Sequence, residues 1–245
     1  MRDLHLVGIP VDLRQLHHWG VCRSLTCNGY LDEGLALHHV LDECFGRAVL
    51  QPFRLMVPHE RRQGKVFAYA ALDSVALDQT ARAVATPDLL EVIDLDKMQS
   101  VPRPASAWRE GQRLGFDLRI RSVVRLAKPI KHEGKHFRQG AEVDAWLSHV
   151  LAGGTADREA LYLDWLDARL DGAAKLERQA SKMAQFRRST AVRSRRMTEG
   201  PEVVIHGTLS VRDSGAFFGK LTQGVGRHRA YGYGMILLRP PQGSC

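Results

Sequence analysis

The order in which strand-like and helix-like runs follow one another between residues 4 and 98 leaves few folds open to this chain. LHLVGIPV (4–11) reads as a strand by its alternation. Asp32 to Phe45 carries apolar residues at helical spacing, opened by Asp32 as a cap and closed by Gly46. FRLMV (53–57) and KVFAYAAL (65–72) are predicted strands joined by a turn at RRQG. DSVALDQTARAV (73–84) is amphipathic, and LLEVIDLDKM (89–98) reads as a returning strand. The resulting order, β-α-β-β-α-β, is that of the ferredoxin-like unit, an α+β fold shared with RNA-recognition domains.

The remainder partly repeats the scheme. LGFDLRIRSVVRLA (114–127) alternates over a long stretch and places Arg119, Arg121 and Arg125 on one side. AEVDAWLSHVL (141–151) and DREALYLDWLDARL (157–170) are helical, PEVVIHGTLSVRD (201–213) is a strand and SGAFFGKLTQ (214–223) a short helix. SVPRPASAWREG (100–111) has the prolines of a linker. The expected architecture is therefore two tandem ferredoxin-like domains, 1–104 and 105–245. The second carries a helical, arginine-rich insertion at about 131–199.

Charge is concentrated in that insertion. The chain has 35 basic and 27 acidic side chains, for a net +8. Eight of the basic ones (Lys175, Arg178, Lys182, Arg187, Arg188, Arg193, Arg195, Arg196) lie within 175–196 beside a single acid, Glu177, so this segment alone holds +7. Such a block is a solvated face, or an arm that tracks phosphates. Only Met183 and Phe186 add apolar bulk there, too little for a base-stacking platform. Hydrophobic content of 44% supports a core, while no run approaches the roughly 20 apolar residues of a membrane span. The N-terminus MRDLHLVGIP lacks a signal pattern, so a cytoplasmic location without membrane partners is expected. Cys22 and Cys27, near His17 and His18, do not match zinc-knuckle spacing and no second pair follows. No metal or other cofactor is expected.

The chain closes on TQGVGRHRAYGYGMILLRP (222–240). Gly224, Gly226, Gly232 and Gly234 surround Arg227, His228 and Arg229, and Met235 to Leu238 reads as a buried strand anchoring them. Two readings of the glycines are open: a cradle that lets phosphates approach the backbone, and a tight turn between helix and strand.

At this point the residues resemble a family. LALHHVLDECFG (35–46), FDLRIRSVVR (116–125), REALYLDWLDARLDGAAKL (158–176) and GTLSVRDSGAFFGKLTQGVGRHRAYGYGMILLRP (207–240) are similar to the RAMP superfamily. Within it the likeness is to CRISPR repeat-processing endoribonucleases of the CasE type, in a type I-E or related type IV or variant type I system. That resemblance implies a metal-independent cut in precursor CRISPR RNA at the 3′ base of a repeat hairpin. The RNA's own 2′-hydroxyl attacks, leaving a 2′,3′-cyclic phosphate, and the enzyme often stays bound among other effector-complex subunits. A non-catalytic RNA-binding subunit of such a complex is the alternative. The long stretch Leu13–Tyr30 before the first helix and the arginine-rich arm depart from the family's pattern.

In this family a histidine of the first helix takes part in catalysis, which the resemblance carries to His38. At about 100° per residue, Leu37, Val40, Leu41, Cys44 and Phe45 share one stripe. His38 borders the stripe and His39 points to the solvated side. Arg23, just before that helix, is expected at the scissile phosphate, where guanidinium binds bidentately. Arg227, His228 and Arg229 are assigned to phosphate. Arg119, Arg121, Arg125, Arg187, Arg188, Arg193, Arg195 and Arg196 are assigned to the RNA backbone. Tyr231 and Tyr233 read as packing.

Overall fold

The computed structural model describes residues 3–58, 63–132, 135–193 and 196–241, with the backbone alone for His132, Lys135, Arg193 and Arg196. Its first part contains β1 (His5–Asp12), α1 (Leu13–Cys22), the short pair β2 (Thr26–Cys27) and β3 (Tyr30–Leu31), and α2 (Glu33–Phe45). There follow β4 (Phe53–Met56), β5 (Gln63–Ala70), α3 (Ser74–Val84), α4 (Pro87–Val92) and β6 (Gln99–Pro102). The sheet order is β4-β5-β1-β6, antiparallel throughout. Numbered by appearance among the four sheet strands, that is second, third, first, fourth: the ferredoxin-like arrangement.

The second part has β7 (Arg113–Ile120), β8 (Val123–Arg125), β9 (Ile130–His132), β10 (Lys135–Phe137) and β11 (Glu142–Asp144). Then come α5 (Ala145–Leu151), α6 (Arg158–Leu170), β12 (Ala174–Arg193), β13 (Arg196–Val211), α7 (Ser214–Gln223) and β14 (Ile236–Arg239). Its sheet order, β12-β13-β7-β14, repeats the first permutation. The tandem ferredoxin-like fold read from the sequence is what forms.

The helical basic insertion is corrected. Helices α5 and α6 occupy the position of the unit's first helix, with Tyr162, Leu163, Leu166 and Leu170 of α6 buried in the core. The arginine-rich segment is a long β-hairpin. Its alternation is hidden because the register shifts between Glu177 and Lys182 and again between Met183 and Gln185. A bulge adds a residue and inverts the period-2 pattern beyond it. β7 pairs with β13 from Val203 to Ser210. Beyond that register Arg187–Arg193 and Arg196–Glu202 run on as a two-stranded ribbon.

Two further expectations change in the first part. LLEVIDLDKM is not one strand. Pro87 opens α4, whose apolar Leu89 and Val92 are buried, and Ile93 makes a single bridge to Val11. β6 closes the sheet with residues expected in the linker. The stretch after β1 folds as α1, capped by Asp12, whose carboxylate accepts from the Arg14 and Gln15 amides at 2.8 and 3.0 Å.

The two sheets are joined by buried contacts. Arg54 of β4 reaches Asp117 of β7 at 3.0 Å, where the carboxylate is 2% exposed. Asp117 also accepts from His206 at 3.0 Å and from Arg239 at 2.5 Å. Tyr69 of β5 donates to the Ile236 carbonyl at 3.1 Å. Through Arg54 and Arg239 the buried Asp117 carboxylate ties β4 and β14 to β7. Among the described residues no helix is long and apolar enough to cross a membrane.

Candidate functional site

Helix α2 starts where the sequence places it. Asp32 caps it by accepting from the Leu35 amide at 3.1 Å, and Gly46 ends it at φ +95°. Ala36, Leu37, Val40, Leu41, Cys44 and Phe45 are buried on one face. His38 sits at the border of that face, its side chain 21% exposed. The imidazole Nδ1 lies 3.5 Å from Gln51 Nε2 and 3.7 Å from Asp42 Oδ2. His39 is half-buried rather than solvated, with its ring 5.3 Å from that of His38.

The closing loop meets this helix directly. A methyl group added at Gly34 would lie 2.5 Å from the Tyr231 carbonyl oxygen, so only glycine allows the approach. The Tyr231 ring then stands edge-on to His38, centroids 5.3 Å apart, and 6.4 Å from His228. One phenol ring is thus flanked by two imidazoles, one from each half of the chain.

The four glycines of the closing loop build a tight turn. Gly224, Gly226, Gly232 and Gly234 all have positive φ. Val225 N–H donates to the Gly234 carbonyl at 2.8 Å, and Gly234 N–H to the Arg119 carbonyl at 2.7 Å, closing the loop on itself. A Cβ on Gly226 would meet the Trp165 ring at 2.7 Å. What the loop presents outward is side chains. His228 is itself left-handed, φ +61° and ψ 27°, a sparsely populated conformation for a non-glycine residue. Its Nε2 contacts Glu142 Oε2 at 2.8 Å, and Arg227 contacts Glu142 Oε1 at 2.5 Å. Burial alone would raise the Glu142 carboxyl, but the His228 hydrogen bond and the two cationic neighbours hold it below its usual range. Arg229 donates to the Gln223 carbonyl at 2.6 Å. Arg227, His228 and Arg229 line an open cleft of about 670 Å³ with Gln51, Pro52 and Tyr231.

The arginines sort differently from expectation. Arg23 is engaged by Glu43 of α2 at 3.4 Å and Asp88 of α4 at 3.5 Å. Glu43 is five residues after His38, about 140° around the helix, so Arg23 and His38 are not brought together. Arg119 and Arg121 do not form an exposed face. Arg119 donates to Glu202 at 2.7 Å and lies 4.5 Å from the Tyr233 ring centre. Arg121 is 4% exposed and donates to the Ser189 carbonyl at 2.7 Å. Arg125, on β8, is exposed and donates to the Gly140 carbonyl at 3.1 Å. The ribbon residues Glu202 and Ser189 cover Arg119 and Arg121, which strand alternation alone does not reveal.

Arg187 and Arg188 are exposed on that ribbon, paired with Glu202 at 2.6 Å and Glu199 at 3.2 Å. Burial would raise the Glu202 carboxyl, but Arg119 and Arg187 hold it down to about 2. Arg195 lies outside the described residues, as do the side chains of Arg193 and Arg196. The ribbon is tied back to the first half. Tyr30 donates to the Thr190 carbonyl at 3.1 Å, and the Val192 amide donates to Asp32 at 3.0 Å, on the residue that caps α2. Sequence reasoning missed Glu142, Gln51 and the position of Tyr231, all defined by contacts distant in the chain.

A sequence model of the family described as CRISPR associated protein matches residues 4–240. Among solved structures the chain is similar to CRISPR endoribonuclease Cse3 bound to a 19-nucleotide RNA, at 19% identity and TM-score 0.66, covering 97% of this chain and 100% of that one. It is also similar to the CRISPR-associated protein Cas6e from Escherichia coli, at 18% identity and TM-score 0.59, covering 97% and 99%. A third likeness is to a chain of a CRISPR RNA-guided surveillance complex, at 15% identity and TM-score 0.56, covering 96% and 98%. No curated protein sequence matches the chain.

Proposed function

The chain belongs to the CRISPR-associated protein family, and from that premise we propose that it is an endoribonuclease that matures precursor CRISPR RNA. It cuts at the 3′ base of the repeat hairpin, needs no metal, and remains bound to the product beside other effector subunits. The observation that carries this reading is the meeting of His38 with the cationic closing loop, across the Gly34–Tyr231 contact. A helix-borne imidazole beside Tyr231 of an arginine-bearing loop suits an internal attack on a phosphodiester, which needs proton transfer and neutralisation of the charged phosphorane. The similarity to a Cse3 chain bound to RNA supports the substrate class.

In this reading the 2′-hydroxyl loses its proton to His38 and attacks the adjacent phosphorus. The 5′-oxygen leaves, and the upstream fragment ends in a 2′,3′-cyclic phosphate. Arg227 and Arg229 contribute charge at the phosphate. The deciding test is incubation of purified protein with its repeat hairpin RNA in excess EDTA. A single cut at the hairpin base is expected. Tight binding without cleavage would instead make the chain a non-catalytic subunit.

The ribbon is the second contact. Arg187 and Arg188 are exposed on the two-stranded arm, and the sequence adds Arg193, Arg195 and Arg196 to the same segment, a charge that suits tracking of a duplex backbone. Changing all five to glutamine weakens hairpin binding. If about three of them touch phosphate, the slope of log affinity against log salt falls by about 2–3. An unchanged slope would assign the ribbon to a protein partner.

A further inference from the structure

We infer that His228 is the second proton-transfer group of this reaction, the general acid for the leaving 5′-oxygen, and that Glu142 is the residue that positions it. The inference rests on the endoribonuclease reading and extends it to a residue pair created only by folding, since Glu142 and His228 are 86 positions apart in the chain. Four observations carry it.

First, the pair has the geometry of an oriented imidazole: Nε2 to carboxylate oxygen at 2.8 Å, with the histidine side chain 18% exposed. A carboxylate so placed fixes the ring's orientation and stabilises its protonated form. Second, His228 is held in the left-handed region, where a branched or bulky residue is strained, so the loop presents this ring at a conformational cost. Third, His228 lines the same cleft as Arg227, Arg229 and Gln51, and Gln51 is also the neighbour of His38. Fourth, the two histidines flank the one Tyr231 ring, whose backbone is fixed against α2 at Gly34.

Glu142 is in hydrogen-bond contact with His228 at 2.8 Å, which orients the ring. In the proposed step the ring bound to Glu142 donates the proton and His38 accepts one. In the step, the 2′-O–H bond breaks and its proton goes to neutral His38 while the 2′-oxygen bonds to phosphorus. The phosphorus–5′-oxygen bond breaks, and that oxygen takes a proton from the His228 imidazolium. The products are the cyclic phosphate and a 5′-hydroxyl. The two imidazoles have exchanged protonation states, which solvent restores.

The test uses two hairpin substrates, one natural and one with sulfur in place of the bridging 5′-oxygen at the cut. A thiolate leaves without being protonated. His228→Asn is the variant of choice because asparagine tolerates the left-handed conformation. On the natural RNA it is expected to slow cleavage by roughly 10²–10⁴, with hairpin affinity within a few-fold of wild type. On the sulfur substrate it should approach the wild-type rate, whereas His38→Ala should stay slow. Glu142→Gln should show a smaller loss with the same sulfur rescue. A weakening that came instead from disturbed Arg227 would appear in affinity and would not be rescued. The inference is overturned if His228→Asn cuts natural RNA at the wild-type rate, or is equally slow on both substrates. Wild-type protein that cuts neither substrate would overturn the endoribonuclease reading itself.

Discussion

Replacing His38 by alanine is expected to slow hairpin cleavage by roughly 10²–10⁴, the usual contribution of general acid–base catalysis, and to leave hairpin affinity within a few-fold. The separation of rate from binding follows from where the side chain sits. His38 borders the buried face of α2 without belonging to it, and the stripe from Ala36 to Phe45 packs without it. Alanine is the better helix former, so the helix and its Asp32 cap persist. The contacts that would hold RNA lie elsewhere, on the ribbon and on the closing loop. Single-turnover cleavage beside equilibrium binding reads the two effects apart. Cleavage at the wild-type rate would remove His38 from the mechanism and leave proton transfer to the closing loop.

How much of this was legible depends on whether the signal was local. The cap at Asp32, the stop at Gly46 and the border position of His38 are properties of a dozen neighbouring residues, and each stands in the structure as read. The same holds for α7 and for the first three sheet strands of the first unit, β1, β4 and β5. The ribbon was misread because two register shifts break its alternation, and because a run of arginines carries no period of its own. Arg119 lies on β7 as read and Arg121 just past its end, and both are covered rather than solvated. Strand periodicity separates two faces; only the fold decides which is covered. Arg23 reads as poised before α2 in sequence, yet the intervening β2–β3 turn carries the chain on, and Glu43 and Asp88 hold the guanidinium. Glu142 had no signal at all. A lone carboxylate acquires meaning only when β11 lies beside His228.

A single 2′-deoxy substitution just upstream of the scissile phosphate is expected to abolish cleavage while hairpin affinity stays within a few-fold of the natural RNA. The change removes one oxygen from one sugar, leaving every phosphate that Arg187, Arg188, Arg227 and Arg229 would contact. Because salt-sensitive affinity comes from neutralised phosphates, binding has no reason to fall. The rate does, because in the proposed step that oxygen is the nucleophile and its proton is the one His38 receives. No rearrangement of the site restores a missing nucleophile, so the effect is expected to exceed that of any side-chain change, including His38→Ala. The natural RNA gives the complementary result: its upstream fragment should carry a 2′,3′-cyclic phosphate, detectable by mass and by resistance to 3′-end ligation until the ring is opened. The deoxy substrate also separates two ways in which imidazole and guanidinium can act. If the site activates water instead, the deoxy RNA is cut at a normal rate and the upstream end is a simple phosphate or hydroxyl. His38 and His228 would then serve a hydrolysis, and the internal-attack mechanism would be wrong.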